Sequence, residues 1–404
     1  MVVIISSKVL VVSEKFWPEG GGGELATNLI ADLLSREEGL QVEILSGTET
    51  PLKPNSVKYQ SIPLLKFSNK IELWRNLFLL SRKDWFIEKL EYADIVYIPS
   101  FCFPLIPLAK RTSNRVIVQL HDYQAIRFSS VVFHDSNQGR LKSIKNTIRL
   151  EMNENKSCKR AFIGALFASI NRLSRKWLSK ADKLVCVSER QKKILAKETP
   201  ELKPKMTVIN NPAPNFPFHE KNSSKNDLFL YLGGDSYCKG FHHFLDVSKR
   251  ILRNHSNVEF MVTGDLEKKN KLKINSLNKK FDNRYLVPGF ITRERLLEVY
   301  SESKALFFPS VWEEPLPFVI MEAMLSGTIP VASRVGGVPE MVRGTYGEEL
   351  LFDPENTKQQ ISKLETVLNL SENEIDKIGS NLKRKAEERF NSNRIANNLK
   401  ELFR

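Results

Sequence analysis

The chain has 404 residues, of which 41% are apolar and 27% are charged. This balance is typical of folded globular proteins and excludes a fibrous or disordered chain. The longest apolar stretch, around 161–170, is much shorter than the roughly 18 residues that a membrane-spanning helix needs, and no secretory signal is evident. Four separated cysteines show no metal-binding spacing. The sequence therefore predicts a cytosolic protein with two domains of ordinary size.

An excess of basic residues is confined to one region. Residues 101–210 contain 22 Lys and Arg against 8 Asp and Glu, whereas the rest of the chain contains 39 of each. Such an excess indicates an acidic partner, such as a phosphate, a nucleic acid or an anionic membrane, or else a solvated surface. We expect no nucleic-acid partner, because the sequence shows neither an aromatic stacking platform nor a recognition helix.

Strand-like and helix-like segments alternate through the first half of the chain. After a strand at 8–13 and a glycine loop, apolar residues recur at helical spacing through 25–36. Further strands are predicted at 41–45, 94–98, 115–120 and 183–187. This alternation is typical of a parallel sheet with helices on both faces.

A break in this pattern separates two halves. Residues 209–217 are rich in Pro and Asn, a composition typical of a linker. The alternation then restarts, with strands predicted at 228–232, 259–262, 285–287, 305–308 and 328–332. We predict an α/β fold of two Rossmann-like, doubly wound parallel-sheet domains facing each other across a cleft. The predicted boundaries are 1–212, 213–385 and a C-terminal helix at 386–404 that packs back toward the first domain.

The first glycine loop lies between the first strand and its helix. Gly21, Gly22 and Gly23 let the backbone approach a ligand closely, and Glu24 follows them. The helix N-terminus offers unpaired N–H groups and a partial positive charge. A phosphate or a hydroxyl-rich acceptor would suit this loop, and a flexible turn without a ligand is the alternative.

The second glycine loop begins at Gly233, after the first strand of the second domain. Lys239 lies near the end of the loop, beside the N-terminus of a helix predicted from Phe241. A cation and free N–H groups could together hold a diphosphate there. An ordinary surface lysine is the alternative.

Two glutamates follow the strand at 305–308. Glu314 lies in a loop at the carboxyl end of the sheet, where open α/β sheets bind ligands. Glu322 lies in the second turn of an otherwise apolar helix predicted from Phe318. A carboxylate there needs hydrogen-bond donors, and two ribose hydroxyls are suitable. The alternative is a buried carboxylate paired with an internal Arg or a backbone amide.

These residues occur in an arrangement that resembles a known family. Residues 309–324 read Pro-Ser-x-x-x-Glu-Pro-Leu-Pro-x-x-x-x-Glu-Ala-Met, which resembles the signature of the family-4 retaining glycosyltransferases, within the glycosyl transferases of group 1. Further segments that resemble this family appear in the same order along the chain. They are 21–24, 181–189, 233–240, 262–264 and 335–340.

The resemblance implies a GT-B fold with an N-terminal acceptor-binding domain and a C-terminal donor-binding domain. It implies that Glu322 binds the donor ribose, that Glu314 binds the transferred sugar and that Lys239 binds the diphosphate. His121, directly after the strand at 115–120, matches the family's active-site histidine near the sugar.

The resemblance also places the loop around Leu316, Pro317 and Phe318 near the sugar and the phosphate. Two residues depart from the family pattern. Gly234 stands where the family often has Arg, so one cation for the diphosphate is missing. Pro317 stands where the family often has Gly, and it lacks an N–H donor.

The implied activity is a retaining hexosyltransferase that uses a UDP- or GDP-sugar and a glycan or lipid-linked acceptor. Retention would follow from front-face attack, with the leaving diphosphate helping to deprotonate the acceptor hydroxyl. No Asp-x-Asp pair lies near a glycine loop. We therefore expect cations in place of a divalent metal, and no other cofactor.

A basic amphipathic helix is predicted at 156–181, with Trp177 near its end. It could lie on the anionic inner face of a membrane and make the protein peripheral. The alternative is a helix packed on the sheet with a basic edge in water.

Two other functions are compatible with the same fold. One is a nucleotide-sugar epimerase, which would act without an acceptor. The other is an inactive scaffold that binds a sugar nucleotide, which the missing cation at Gly234 suggests.

Overall fold

The computed structural model describes residues 7–112, 114–134, 140–159, 161, 171–219, 221 and 227–404. The strands in these residues are β1 (Ser7–Ser13), β2 (Leu40–Ser46), β3 (Lys58–Ser61), β4 (Ile95–Ile98), β5 (Arg115–Leu120), β6 (Lys183–Cys186), β7 (Met206–Val208), β8 (Asp227–Leu232), β9 (Val258–Thr263), β10 (Tyr285–Gly289), β11 (Ala305–Phe308) and β12 (Ile329–Ala332).

The described α-helices are α1 (Gly22–Ser35), α2 (Lys70–Leu80), α3 (Asp84–Tyr92), α4 (Ile106–Arg111), α5 (Arg140–Asn153), α6 (Asn171–Leu178), α7 (Glu189–Glu198), α8 (Phe241–Asn254), α9 (Lys268–Asn278), α10 (Arg293–Glu302), α11 (Phe318–Leu325), α12 (Val338–Val342), α13 (Tyr346–Glu349), α14 (Thr357–Leu368), α15 (Glu372–Arg389) and α16 (Ser392–Phe403). Short 3-10 helices occur at Pro63–Leu65, Phe103–Leu105 and Pro200–Lys205. Among the described residues, no helix is both long enough and apolar enough to cross a membrane.

The chain divides into two compact units. The first unit comprises Met1–Val131, Leu166–Pro214 and Phe390–Arg404, and the second comprises Val132–Ala165 and Asn215–Arg389. The described strands of the first unit form one sheet in the order β3-β2-β1-β4-β5-β6-β7, and those of the second form a sheet in the order β10-β9-β8-β11-β12. All of these strand pairs are parallel, so the predicted pair of parallel-sheet domains is confirmed.

The core of the first unit lies between the sheet and the helices on its faces. Strand β1 is buried from Val9 to Ser13, because neighbouring elements cover both of its faces. The C-terminal helix α16 contributes to the same core, and the ring of Phe403 meets Tyr97 of β4 edge-on at 5.4 Å. Full burial of such a side chain stabilises a fold by about 1.5–3 kcal/mol. The last helix is therefore an integral part of the first unit.

The observed units differ from the predicted boundaries at 132–165. This segment belongs to the second unit, in which Phe133 forms a β-bridge with Trp312 and Arg149 pairs with Glu355 at 3.2 Å. The residues that this segment contacts lie far from it in the sequence, so the order of strands and helices does not reveal these contacts. The last boundary falls at Phe390, where α15 has ended.

The predicted basic helix at 156–181 lies partly outside the described residues. Among its described residues, 171–178 form α6, in which the Trp177 ring packs edge-on against Trp74 of α2 at 5.0 Å. Leu178 is buried, and Arg175 lies 3.9 Å from Glu198 of α7. This part of the helix therefore packs on the first unit, with basic residues at its edge.

Candidate functional site

The central strands of the second unit carry the loops that contain the predicted donor-site residues. Strands β8 and β11 are neighbours in this sheet. The loop after β8 contains Lys239, and the loop after β11 contains Glu314. Both loops leave the carboxyl edge of a parallel sheet, so their side chains can meet at a single site.

Glu314 is 4% exposed and accepts three hydrogen bonds on its Oε1 atom. The donors are Lys239 Nζ at 2.6 Å, Trp312 Nε1 at 2.7 Å and Ser310 Oγ at 3.2 Å. A buried carboxylate needs such compensation for its lost hydration. The structure thus brings the predicted residues Lys239 and Glu314 into direct contact.

A segment from the first half of the sequence supports the Glu314 loop. The Glu313 N–H donates to Val132 O at 2.8 Å, and the His134 N–H donates to Val311 O at 3.0 Å. Short antiparallel pairing of this kind fixes the course of a loop through backbone hydrogen bonds, which do not depend on side-chain identity. The sequence therefore offers no signal for this support.

Glycines of the 335–340 segment pack directly against the same loop. Gly336 has φ +49°, and a Cβ atom there would lie 1.7 Å from Glu314 O. The Gly337 N–H donates to Glu314 O at 2.8 Å, and the Gly336 N–H donates to Glu313 Oε2 at 2.6 Å. The positive φ and the missing room for a Cβ atom explain physically why a glycine occupies position 336.

The residues between the two glutamates form the start of α11. Leu316 is 6% exposed and Phe318 is 7% exposed. Pro317 precedes the first helical residue with φ −72°, a position that tolerates its missing N–H. The predicted helix start at Phe318 is therefore observed, and the N-terminus of α11 lies at this loop.

The second glycine loop follows a course that excludes side chains at its first two positions. A Cβ atom at Gly233 would lie 2.4 Å from the Tyr231 hydroxyl. Gly234 has φ +54°, and a Cβ atom there would lie 2.7 Å from Asp265 O. The absence of an arginine at Gly234 therefore matches the backbone geometry of this loop.

Helix α5 and the residue that follows it also hold the second glycine loop. The Cys238 N–H donates to Glu154 Oε2 at 3.0 Å, and Arg149 Nε donates to the Tyr237 hydroxyl at 2.8 Å. The guanidinium of Arg149 also lies 4.7 Å from the centre of the Phe133 ring. Sequence analysis missed these residues, because about 85 positions separate them from the loop.

Glu322 forms its side-chain hydrogen bonds with a different set of residues from Glu314. Its side chain is 1% exposed, and it pairs with Arg293 through Oε1 and accepts from the Tyr300 hydroxyl through Oε2 at 3.1 Å. Burial raises the pKa of Glu322, and the charge of Arg293 opposes this rise. Such a pair with an internal arginine is the alternative to a ribose-binding role for Glu322 that the sequence left open.

The first glycine loop is partly closed by its own glutamate. Helix α1 begins at Gly22, and the Gly21 N–H donates to Glu24 Oε2 at 2.7 Å. This is a capping interaction in which a first-turn carboxylate satisfies a backbone N–H. One of the loop amides predicted to be free for a ligand is therefore occupied.

His121 lies directly beside the first glycine loop. A Cβ atom at Gly23 would lie 3.4 Å from His121 Cβ, so the structure brings these two predicted residues together. Burial lowers the pKa of His121 to about 4, so its imidazole is neutral at pH 7. Its Nε2 atom is buried and has no hydrogen-bond partner among the described residues.

A glutamine missed by sequence analysis anchors the backbone on both sides of His121. Gln191 Nε2 donates to Leu120 O at 2.8 Å and to Asp122 O at 3.1 Å, and its Oε1 accepts from the Val187 N–H at 2.8 Å. A fully satisfied buried amide of this kind fixes the surrounding loop.

The match to a family model covers the second unit's sheet and the site on it. Residues 213–388 match the model described as Glycosyl transferases group 1. Residues 213–388 are a group 1 glycosyltransferase domain. The resemblance predicted from Glu314 and Glu322 is thus confirmed at the level of this group.

Curated relatives are similar over parts of the chain. The spore coat protein SA of Bacillus subtilis is 28% identical over 182 residues, which cover 44% of this chain and 48% of that protein. The chain spans about half the length of this relative and less of the next ones.

Solved structures match the group 1 domain together with the first unit. Anabaena Alr3699/HepE in complex with UDP-glucose is similar with a TM-score of 0.68 and 16% identity, covering 98% of each chain. Sucrose-phosphate synthase of Thermosynechococcus elongatus is similar with a TM-score of 0.71 and 16% identity, also covering 98% of each chain. The fold, with its two parallel-sheet domains, is GT-B as predicted.

Proposed function

We propose that the protein is a retaining glycosyltransferase that moves a hexose from a nucleotide diphosphate sugar to a hydroxyl of a glycan or lipid-linked acceptor. The observation that carries this proposal is the convergence of Lys239, Trp312 and Ser310 on the buried Glu314 carboxylate in the group 1 domain. Anabaena Alr3699/HepE, which has the same fold, binds UDP-glucose. A UDP- or GDP-sugar is therefore the proposed donor.

The proposed donor site assigns separate tasks to its charged groups. Glu314 accepts hydrogen bonds from hydroxyls of the transferred hexose. The ammonium of Lys239 has three N–H donors, and one of them is used on Glu314, so two remain for the diphosphate. Glu322 accepts from the ribose, and the N–H groups at the start of α11 face the phosphate or the sugar.

The proposed reaction is a front-face displacement with retention. A bond forms between the acceptor oxygen and the anomeric carbon, while the bond from that carbon to the diphosphate oxygen breaks. The proton of the acceptor hydroxyl passes to the leaving diphosphate. Lys239 stabilises the negative charge that develops there, which is the task that a divalent metal performs in other transferases. His121 of the first unit is proposed to act in the transfer as a neutral imidazole.

Thermal stabilisation by nucleotide sugars tests the donor site. We expect one class among UDP-, GDP- and ADP-sugars to raise the melting temperature of the wild-type protein, by mass action on the folded state. Glu322→Ala should lose this shift. Glu298→Ala, which changes a half-exposed glutamate of α10, should keep it. Absence of a shift with every donor would overturn the proposal.

Product analysis then separates transfer from the alternatives. Incubation of the stabilising donor with a panel of glycan and lipid-linked acceptors should give a new α- or β-linked product with the anomeric configuration of the donor. An epimerised sugar formed without an acceptor would instead support the epimerase. Donor binding without any product would support an inactive scaffold.

Contact with an anionic membrane through residues 156–181 stays a prediction of the sequence. The packing of Trp177 on Trp74 within the first unit leaves this ring less available for a membrane. Sedimentation with vesicles that contain anionic lipid, compared with neutral vesicles, tests this contact directly.

A further inference from the structure

Glu322 occupies an unusual position for a charged side chain. It is the one acidic residue in the apolar helix α11 (Phe318–Leu325), and it is 1% exposed. A buried carboxylate is expensive unless donors surround it. In the described part of the chain, the donors recorded for it are Arg293 on Oε1 and the Tyr300 hydroxyl on Oε2, both from α10.

These two partners leave acceptor capacity on the carboxylate. Each carboxylate oxygen can accept about two hydrogen bonds. Arg293 uses one site on Oε1, and Tyr300 uses one site on Oε2. One site on each oxygen thus remains, which suits two adjacent hydroxyls of a ribose. The ion pair and ribose binding are therefore compatible.

Arg293 itself carries an unmet hydrogen-bond donor. Its Nε atom is buried and has no partner among the described residues. The ring of Phe216 covers the guanidinium at 4.3 Å, and 24% of the Arg293 side chain is exposed. A buried N–H without a partner costs free energy until an acceptor reaches it. The Nε–H of Arg293 is thus an unused donor, and the carboxylate of Glu322 has unused acceptor sites. This combination matches a vicinal diol, whose hydroxyls both donate and accept.

We propose that Arg293 is a ribose-binding and positioning residue. Its Nη2 group holds Glu322 in place as a carboxylate, and its Nε–H donates to a ribose oxygen of the nucleotide. The inference rests on the proposed function, because it concerns the same donor site. Nothing in the sequence motif around Glu322 points to Arg293, which lies 29 positions earlier on another helix.

The planar guanidinium explains why arginine suits this role. It can direct one N–H to the carboxylate and another to the ligand in a fixed geometry, whereas a lysine ammonium is a point charge. Phe216 restricts the guanidinium from its face. Arg293→Lys should thus keep Glu322 ionised and lose the directed bond to ribose.

Removal of the Arg293 charge should change nucleotide binding by an amount that depends on pH. In the described residues, the titratable groups that act on Glu322 are Arg293 and Tyr300. Without Arg293, burial would raise the pKa of Glu322 further, and the protonated carboxyl would lose acceptor sites for ribose. Nucleotide binding by Arg293→Met should therefore be weak at acid and neutral pH and recover as pH rises.

The experiment measures the affinity for the nucleoside diphosphate that binds best among UDP, GDP and ADP, by calorimetry between pH 5.5 and 9. We expect Arg293→Met to bind roughly 10–100-fold more weakly than the wild type at pH 6, with a smaller deficit at pH 9. Arg293→Lys should show a smaller loss without the pH trend. Arg295→Met is the matched control, because Arg295 lies on the same helix and pairs with the partly exposed Glu298 and Glu302.

A second arm uses the 2′-deoxy and 3′-deoxy forms of the same nucleotide. If Arg293 donates to a ribose oxygen, loss of that hydroxyl should cost the wild type more affinity than it costs Arg293→Lys. Equal penalties in both proteins, together with wild-type affinity of Arg293→Met at every pH, would overturn the role of Arg293. Failure of the wild type to bind any nucleotide would overturn the donor site itself, so the two failures are distinguishable.

Discussion

The ammonium of Lys239 lies 2.6 Å from the carboxylate of Glu314, although 75 positions separate the two residues. Glu314 is almost fully buried, whereas 35% of the Lys239 side chain is exposed. The pair therefore has a fixed carboxylate and a cation that an incoming ligand can reach. Since both residues lie after central strands of the sheet, the fold itself creates the pair.

Replacement of Lys239 should weaken donor binding. Lys239→Met removes a charge-assisted bond, so we expect the affinity for the nucleotide sugar to fall roughly 10–100-fold. Calorimetry or thermal shift with the stabilising donor measures this effect. Lys249→Met is the matched control, since Lys249 also pairs with a carboxylate, that of the exposed Asp246 on α8, away from the buried Glu314. Equal affinities of both variants would contradict the assignment of Lys239.

Gly240 should tolerate substitution much less than another glycine with positive φ. Gly240 has φ +77°, and a Cβ atom there would lie 1.9 Å from Pro309 O. We expect Gly240→Ala to lower the free energy of unfolding by about 3 kcal/mol or more, because backbone must move. Gly344 has φ +69° with nothing within 4 Å, so Gly344→Ala should cost only about 1–2 kcal/mol. Chemical denaturation compares the two, and similar losses would refute the role of the Pro309 contact.

The elements that sequence analysis found are those with strong local patterns. The central strands, such as β1 and β11, are apolar runs because helices cover the sheet on both faces. Edge strand β3 (Lys58–Ser61) was missed, since its residues are partly exposed and show no apolar run. Strand β7 (Met206–Val208) is too short to give a pattern.

In the candidate site, too, only residues that lie in a local sequence pattern could be predicted. Glu314 and Lys239 could be found because each lies in a motif that continues into a helix or a strand. Arg293 and Gln191 could not, because their roles arise from contacts with distant segments, at Glu322 and at the carbonyls beside His121. A hydrogen bond between remote residues leaves no spacing that a single sequence can reveal.

Introduction of the family's arginine at Gly234 should harm this protein. The position has φ +54°, and a Cβ atom would lie 2.7 Å from Asp265 O. A side chain would therefore strain the backbone by about 1–2 kcal/mol and displace the loop that carries Lys239. We expect Gly234→Arg to lower the melting temperature without a gain in donor affinity.

The control for this variant adds the same charge at an open position. Gly344→Arg also meets a positive φ, but no atom lies within 4 Å of the new Cβ. It should lose less stability than Gly234→Arg and leave donor affinity unchanged. Tighter donor binding by Gly234→Arg at wild-type stability would show instead that the loop lacks only a cation.

The pH dependence of His121 follows from its burial. Its folded pKa is about 4, against an ordinary value of 6.5. Between these two pH values the unfolded chain binds a proton that the folded chain does not, so stability falls as pH drops from about 6.5 to about 4. One such site contributes a slope of at most about 1.4 kcal/mol per pH unit.

NMR titration of the imidazole resonances measures this pKa directly, and their loss in His121→Asn assigns the signal. We expect a midpoint near pH 4 and a flatter acid limb of stability in the variant. The pKa of His242, in the second unit, is lowered to about 4 as well. The His121→Asn variant should therefore keep the part of the pH dependence of stability that comes from His242. A midpoint at or above 6.5 would mean that the His121 imidazole is hydrated in solution, and it would remove the argument that a neutral imidazole acts in the transfer.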